Sequence, residues 1–273
     1  MAPKCGSAKI RIVKKIKYNS YPGKAYKKTP YIIGNIKGNL ANKSSLFFLK
    51  KFVYIIPKFY HIICCKILGI KIKKIGKISA TKPTLFVSNH ASYLDIIILS
   101  SLFKSSFIAK KEVSSWPLLG ILAKLQNTVF IDRKIGSIKE QENLIINHLK
   151  KKNNLIFFPE GTSSDGNKIL PFKSSLFNIF QNKDNPKICI QTITIIYKKV
   201  NGITLNRVER RDITWHSNME LLPNMINFLK KMSIEVEIIF NEKFIPKTSL
   251  DRKKLAFFCW KDINYTLINN LYR

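Results

Sequence analysis

Short apolar runs alternate with amphipathic segments from residue 84 onward. Apolar strands are predicted at 84–88, 106–110, 128–132, 154–158, 188–197 and about 233–240. Helices are predicted between them, at 91–103, after Pro117 and at 137–151. Strands and helices that alternate through short connections build right-handed crossovers and a parallel sheet. The pattern therefore predicts an α/β fold with a mostly parallel central sheet flanked by helices.

Residues 46–70 follow a different pattern, dense in apolar and aromatic positions. Lys51, Lys58 and Lys66 are spaced seven and eight apart, which places them on one side of a helix. Pro57 would kink or split that helix. An apolar body with a lysine stripe suits the membrane interface, although a helix packed on the domain would look similar. We expect N-terminal amphipathic helices that lie on the membrane.

These patterns divide the chain into three parts. Residues 1–45 are expected to be a basic flexible arm, residues 46–75 the amphipathic membrane-interface helices, and residues 76–273 the α/β domain. The arm carries no apolar segment typical of a secretory signal. No uncharged apolar run reaches the ~18–20 residues that span a bilayer, so we expect association with one membrane face.

Charge and cysteine content narrow the possible partners. The chain has 48 Lys+Arg and 16 Asp+Glu, a net charge of +32. Such a surface attracts nucleic acid, anionic lipid or an acidic carrier protein. The chain is 45% hydrophobic and shows no helix-turn-helix, RRM or zinc-finger pattern, so no nucleic-acid partner is expected. Five cysteines without a C-x-x-C pair argue against a disulfide framework and against a zinc site.

The first candidate for chemistry is a histidine between a predicted strand and a predicted helix. His90 follows the strand at 84–88, and Asp95 lies about one turn into the helix. A carboxylate that returns to the imidazole would fix its tautomer and let it take a proton from a substrate hydroxyl. The alternative is a structural histidine at the helix start.

Two more polar loops follow predicted strands. The loop at 158–166 is rich in glycine and hydroxyl groups and could hold a phosphate or an oxyanion, or could be a plain surface turn. Arg133 follows the strand at 128–132 and could bind a phosphate in a fork, or could form a surface salt bridge.

Together these loops resemble a known family. The blocks NHASYLD (89–95), FIDR (130–133) and FPEGT (158–162) resemble, in order and spacing, those of the glycerolipid acyltransferases typified by 1-acyl-sn-glycerol-3-phosphate acyltransferase. The resemblance covers about residues 46–245. It implies an O-acyltransferase of phospholipid biosynthesis on the cytoplasmic face of the inner membrane. It also implies an acyl-CoA or acyl carrier protein donor, a lysolipid acceptor, an anionic membrane surface as partner, and no metal or organic cofactor.

The resemblance also assigns roles to residues. It implies that His90 is the general base and Asp95 its orienting partner. Glu160, Gly161 and Thr162 would build the acceptor pocket. Arg133 and Lys110 would contact the polar head of the acceptor. The expected product is phosphatidate, formed from 1-acyl-sn-glycerol-3-phosphate.

Two departures from the family pattern keep other acceptors open. Ser163 stands where the third block usually has an arginine, and Thr192 stands where a fourth block usually has a proline. The run at 160–177, with Trp215 and His216, also resembles a branch that includes lyso-ornithine-lipid O-acyltransferases. The alternative from another class is a non-catalytic basic membrane-binding protein, in which His90 and Asp95 would be dispensable.

Overall fold

A computed structural model describes residues 57–116, 119–132, 138–216 and 219–271. The expected arm at 1–45, Lys51 and Arg133 lie outside the described residues. The first described helix, α1, includes residues 57–67.

The remaining elements follow in the order that the hydrophobic pattern predicts, with several additions. They are β1 Ile70–Ile75, β2 Thr84–Ser88, α2 Leu94–Leu102, β3 Ser106–Lys110, α3 Leu119–Leu125, β4 Val129–Ile131, α4 Ile138–Lys150, β5 Leu155–Phe157, β6 Cys189–Val200, β7 Ile203–Thr204, α5 Arg207–Ile213, α6 Leu221–Leu229, β8 Ile234–Phe244 and α7 Arg252–Asn270. Short 3₁₀ helices span Lys111–Ser115 and Ser175–Phe180.

The strands form an eight-stranded sheet in the order β1-β8-β6-β2-β5-β3-β4, with β7 paired to β6. Strands β2, β3, β4, β5 and β6 run parallel to one another. Strand β8 lies antiparallel to β6 and parallel to β1. The predicted α/β fold with a mostly parallel sheet is confirmed, and the parallel strands bring their carboxyl ends to one edge.

Residues 70–75 differ from the expectation that the amphipathic helices extend to residue 75. They form β1, which pairs with β8 along its whole length. Ile70, Ile72 and Lys71, Lys73 alternate, and this period of two fits an edge strand. The α/β domain therefore begins before residue 76, and the helical part ends near Gly69.

Apolar side chains fill both faces of the sheet. On one face, Leu85, Leu155 and Ile190 pack with residues of α4 and α7. On the other face, Phe86 and Ile156 pack with residues of α1, α2, α5 and α6. Strands covered on both faces lack polar alternation, which explains the continuous apolar runs in the sequence.

Thr192, at the position where the family usually has proline, takes part in a polar network that joins β6, β8 and α7. Its hydroxyl hydrogen-bonds the Asp262 carboxylate. The Asn241 side chain donates to Asp262 Oδ2 at 2.9 Å and to Thr192 Oγ1 at 3.1 Å. Thr266 donates to Asn241 Oδ1 at 3.3 Å. A threonine at this position therefore ties α7 to the sheet.

Candidate active site

His90 and Asp95 meet at the carboxyl end of β2. The turn after β2 presents His90, and Asp95 lies in the first turn of α2. His90 Nδ1 lies 2.8 Å from Asp95 Oδ2. The Asp95 side chain is fully buried, whereas 17% of the His90 side chain remains exposed. The imidazole therefore contacts a buried carboxylate while part of the ring remains exposed at the protein surface.

Asp95 accepts four hydrogen bonds from the part of the chain that the structure describes. Its Oδ2 also accepts the backbone N–H groups of Ala91 at 2.7 Å and Ser92 at 2.9 Å. Its Oδ1 accepts the Tyr197 hydroxyl at 2.7 Å. An ionised carboxylate only accepts hydrogen bonds, so this set of donors suits its charged form. The arrangement holds a negative charge beside the imidazole.

Tyr197 is a member of the site that the sequence blocks do not contain. It lies on β6, the neighbour of β2, and is 1% exposed. Burial, and then the charge of Asp95, raises the pKa of Tyr197 well above its usual value. The phenol consequently keeps its proton and remains a hydrogen-bond donor to Asp95 across the physiological pH range. Its only sequence signal is a tyrosine within an apolar strand, which ordinary core packing would also produce.

Arg210 supports β6 behind Tyr197. It is fully buried, and its Nε donates to the Tyr197 backbone carbonyl at 3.1 Å. Its terminal nitrogens donate to Asn167 Oδ1 at 2.8 Å and to the Leu205 carbonyl at 2.9 Å. This arginine fixes the strand that carries Tyr197, a role that its surroundings in the sequence, VERRD, do not indicate.

The geometry leaves the other ring nitrogen of His90 for a substrate. Nδ1 faces Asp95, and in the neutral ring it is then the donor, which makes Nε2 the acceptor. The ring stacks on Phe158 with a centroid separation of 4.3 Å and an interplanar angle of 18°. Stacking on one side and Asp95 at Nδ1 fix the ring orientation. A hydroxyl placed at Nε2 could give up its proton there.

The loop after β5 holds the backbone of His90. Glu160 Oε1 accepts the His90 N–H at 2.8 Å, and the Ser164 N–H donates to the His90 carbonyl at 2.8 Å. Both polar groups of the His90 backbone are thus bound by the FPEGT loop. The two sequence blocks form one structural unit, although they lie 70 residues apart.

The Glu160 side chain is buried and binds the backbone of its own chain. The residue is 3% exposed, and its Oε2 accepts the Leu170 N–H at 2.8 Å. Burial raises the pKa of Glu160 to about 8, and the N–H donors of Leu170 and His90 partly oppose that rise. The resemblance implied that Glu160 builds the acceptor pocket. In the structure its carboxylate binds two backbone amides and positions the loop around His90.

Gly161 and Thr162 continue the same loop. Gly161 has φ +74°, which favours glycine, and its N–H donates to the Phe158 carbonyl at 3.1 Å. Thr162 is exposed, whereas Ser163 is 8% exposed. Thr162 is therefore exposed on the loop after β5 that binds the His90 backbone, whereas Ser163 on the same loop is buried.

One of the two basic residues expected at the acceptor head lies among the described residues. Lys110 is exposed and ends β3, where it pairs in register with Ile131 of β4. Lys111 next to it forms an ion pair with Asp132 at 3.1 Å. Arg133 follows Asp132 and lies outside the described residues. The topology places Lys110 at the same sheet edge as His90.

An aromatic cluster borders the His90 turn. Trp215 donates its backbone N–H to the Ala91 carbonyl at 2.9 Å. Its ring makes edge contacts with Tyr93 at 6.1 Å and with Trp116 at 6.5 Å, measured between ring centroids. The site thus has apolar surface beside its polar groups.

Comparisons with known proteins show the family of this chain. The acyltransferase family matches residues 69–214. The lyso-ornithine lipid O-acyltransferase of Brucella abortus is 37% identical over 206 residues, covering 74% of this chain and 77% of that protein. The 1-acyl-sn-glycerol-3-phosphate acyltransferase of Neisseria gonorrhoeae is 31% identical and covers 61% of this chain and 64% of its own.

A solved structure shows the same fold. The crystal structure of the 1-acyl-sn-glycerophosphate acyltransferase of Thermotoga maritima matches with a TM-score of 0.62 and 19% identity, over 82% of each chain. The resemblance noted in the three sequence blocks is confirmed by the family match. This chain belongs to the acyltransferase family and is an acyl-transferring enzyme.

Proposed function

We propose that the chain moves a fatty acyl group from a thioester to the free hydroxyl of a lysolipid. His90 Nε2 takes the hydroxyl proton while the oxygen attacks the thioester carbonyl carbon. The C–S bond then breaks, and the imidazolium returns its proton to the leaving thiolate. The ester product and a free thiol balance the reaction.

The contact between His90 and Asp95 carries this proposal. The imidazolium that forms during transfer gains a positive charge 2.8 Å from a buried carboxylate. Charge pairs are strong where water is excluded, so Asp95 stabilises the charged ring and keeps its tautomer. The donor would be acyl-CoA or acyl carrier protein, as the resemblance implies.

We infer that lyso-ornithine lipid is the first candidate for the acceptor. Relatives with that name, from Brucella abortus and Rhizobium meliloti, cover more than 70% of this chain. Ser163 is buried and uncharged where the common third block places an arginine. A phosphate monoester in a closed pocket needs compensating charge, which Ser163 does not provide.

Lysophosphatidate, the acceptor expected from the sequence blocks, is the second candidate. Lys110 is exposed at the sheet edge of His90, and Arg133 follows the neighbouring strand. Either cation could neutralise a phosphate in place of the missing arginine. The relative from Neisseria gonorrhoeae supports this reading by its name.

We propose that α1 lies on the cytoplasmic face of the membrane. Phe59, Ile63 and Ile67 are 60%, 53% and 75% exposed and recur at four-residue spacing on the outer face of the helix. Lys58 and Lys66 are exposed beside them and could reach anionic headgroups. No helix among the described residues has the length and apolar character to cross a bilayer.

A side-by-side acceptor assay tests the proposal. Purified full-length protein is offered lyso-ornithine lipid and lysophosphatidate, each with acyl-CoA and with acyl carrier protein as donor. We expect an ester to form on lyso-ornithine lipid with the wild type, and we expect His90→Ala to lose this activity. Transfer confined to lysophosphatidate would reverse the order of the two acceptors, and no transfer to either lysolipid would refute the proposal.

A further inference from the structure

A cleft of about 270 Å³ lies at the amino-terminal edge of the sheet. Ser106, the first residue of β3, and Asn154, just before β5, line it. His90 follows the opposite end of β2. Five residues of strand rise about 3.3 Å each, so about 16 Å of sheet separates the cleft from the edge that carries His90. A group bound in the cleft is therefore distinct from the acceptor at His90.

Four lysines surround this cleft: Lys58, Lys82, Lys104 and Lys152. They come from α1 and from three separate loops, and no aspartate or glutamate is among the described residues that line the cleft. Burial, and then the positive charge of Lys82, lowers the pKa of Lys104. Like charges gathered at one cleft repel one another, and a bound anion would relieve that repulsion.

A hydroxyl and several apolar side chains also belong to the lining of the cleft. Ser105 Oγ is buried and has no hydrogen-bond partner among the described residues. Buried polar atoms usually have a partner, so this hydroxyl keeps unused hydrogen-bonding capacity beside the cleft. Ile78, Phe103 and Leu125 contribute apolar side chains to the lining. The lining thus combines lysines with apolar side chains, which suits an amphiphilic anion.

We propose that this cleft binds a phosphate group carried by an anionic membrane lipid. Lysine is a common phosphate ligand because its ammonium acts as a point charge. Lys58 lies at the start of α1, the helix whose outer face exposes Phe59 and Ile63. A bilayer that contacts this face brings lipid headgroups to the cleft. The site would anchor the enzyme at anionic lipid, apart from its acyl-transfer site.

The test compares two pairs of lysines in the full-length protein. One variant carries Lys104→Gln and Lys152→Gln in the cleft. The control variant carries Lys253→Gln and Lys254→Gln, exposed residues of α7 that do not line the cleft, so both variants have the same net charge. Binding of monomeric dihexanoyl phosphatidylglycerol and of inorganic phosphate is measured by calorimetry at one ionic strength, with thermal melting as a check on folding.

We expect the cleft pair to weaken lipid binding about 30-fold, from two charges near the anion, and the control pair to weaken it less than about 2-fold. Acyl transfer to acceptor in neutral detergent micelles should be unchanged in both variants. Equal losses in the two variants would show general attraction to a basic surface and would overturn the proposal. Binding of inorganic phosphate without the lipid would overturn the lipid as its source.

Discussion

The Tyr197 hydroxyl donates a hydrogen bond to Asp95 Oδ1 at 2.7 Å, from a strand more than one hundred residues further along the chain. The bond extends the pair of His90 and Asp95 into a buried chain of three side chains. Because the phenol is buried and firmly protonated, it supports the negative charge of Asp95 without competing for the proton of the imidazole.

Tyr197→Phe removes this donor while keeping the ring that packs in the core. Hydrogen bonds to charged groups contribute about 1.5–3 kcal/mol, so kcat should fall about 10–100-fold. KM for the acceptor should stay close to that of the wild type, because Tyr197 is buried behind Asp95. Unchanged kcat in a folded variant would show that Asp95 needs only its other three donors.

His90→Ala should lower kcat by about 10²–10⁴, the contribution of positioned proton transfer. Single-turnover assays with the preferred acceptor measure this loss, and melting curves check the fold. Near-normal turnover in a folded His90→Ala protein would remove His90 from the mechanism.

Asp95→Asn should also be severe, because an amide neither stabilises the imidazolium nor enforces its tautomer. Asp184→Asn, at an exposed aspartate, is the matched control and should behave like the wild type. Similar kcat values for the two variants would contradict the role given to Asp95.

Arg133→Ala distinguishes the two acceptors. If a phosphate binds beside β4, the loss in binding should be about 2–5 kcal/mol, as for one member of a buried charge pair, and should appear mainly as a raised KM for lysophosphatidate. Lyso-ornithine lipid lacks that phosphate, so the KM for this acceptor should rise less. The kcat/KM ratio for the two acceptors, in the wild type and the variant, measures this. An equal loss with both would assign Arg133 a role unrelated to the headgroup.

Glu160 should make stability depend on pH. Its pKa rises from 4.5 to about 8 on folding, so the folded state holds the proton more tightly between these values. The stabilisation is fully present below pH 4.5 and is lost as pH rises through 8, with a slope of up to about 1.4 kcal/mol per pH unit. Urea denaturation at several pH values should show this slope reduced in Glu160→Gln. The exposed control Glu220→Gln should retain it.

The outer face of α1 should attach the protein to bilayers. Phe59→Ser with Ile63→Ser should release most of the protein from anionic liposomes in flotation, since each buried side chain contributes about 1.5–3 kcal/mol. Phe257→Ser with Ile268→Ser alters residues of α7 that are 61% and 64% exposed on the opposite face, and should float normally. Equal flotation of both variants would reject α1 as the anchor. Substitutions are preferable to truncation at residue 75, which would delete β1.

Much of the sheet could be predicted because its strands are buried on both faces. Such strands appear in the sequence as apolar runs, and TLFVS at Thr84–Ser88 forms a strand as expected. Strand β1 was missed because its alternating isoleucines and lysines follow a dense apolar helix. Helix α7 was also missed, since its exposed face carries Phe257, Phe258 and Tyr265 and so lacks a clear polar side.

The candidate site could be predicted from the residues only where the interacting side chains lie close together in the sequence. His90 and Asp95 are only five residues apart, one in the turn after β2 and the other in the first turn of α2, so their pairing is visible in the sequence. Tyr197 reaches the site through the order of the strands, and Arg210 through the packing of α5 against β6; a single sequence provides neither.

The bonds from Glu160 and Ser164 to the His90 backbone have a consequence for engineering. The position of the His90 imidazole depends on the loop after β5, through the backbone of His90. If His90 is the base, as proposed, grafting that loop alone between relatives would also shift the base. A functional chimera should therefore carry the β2–α2 turn and the β5 loop from the same parent.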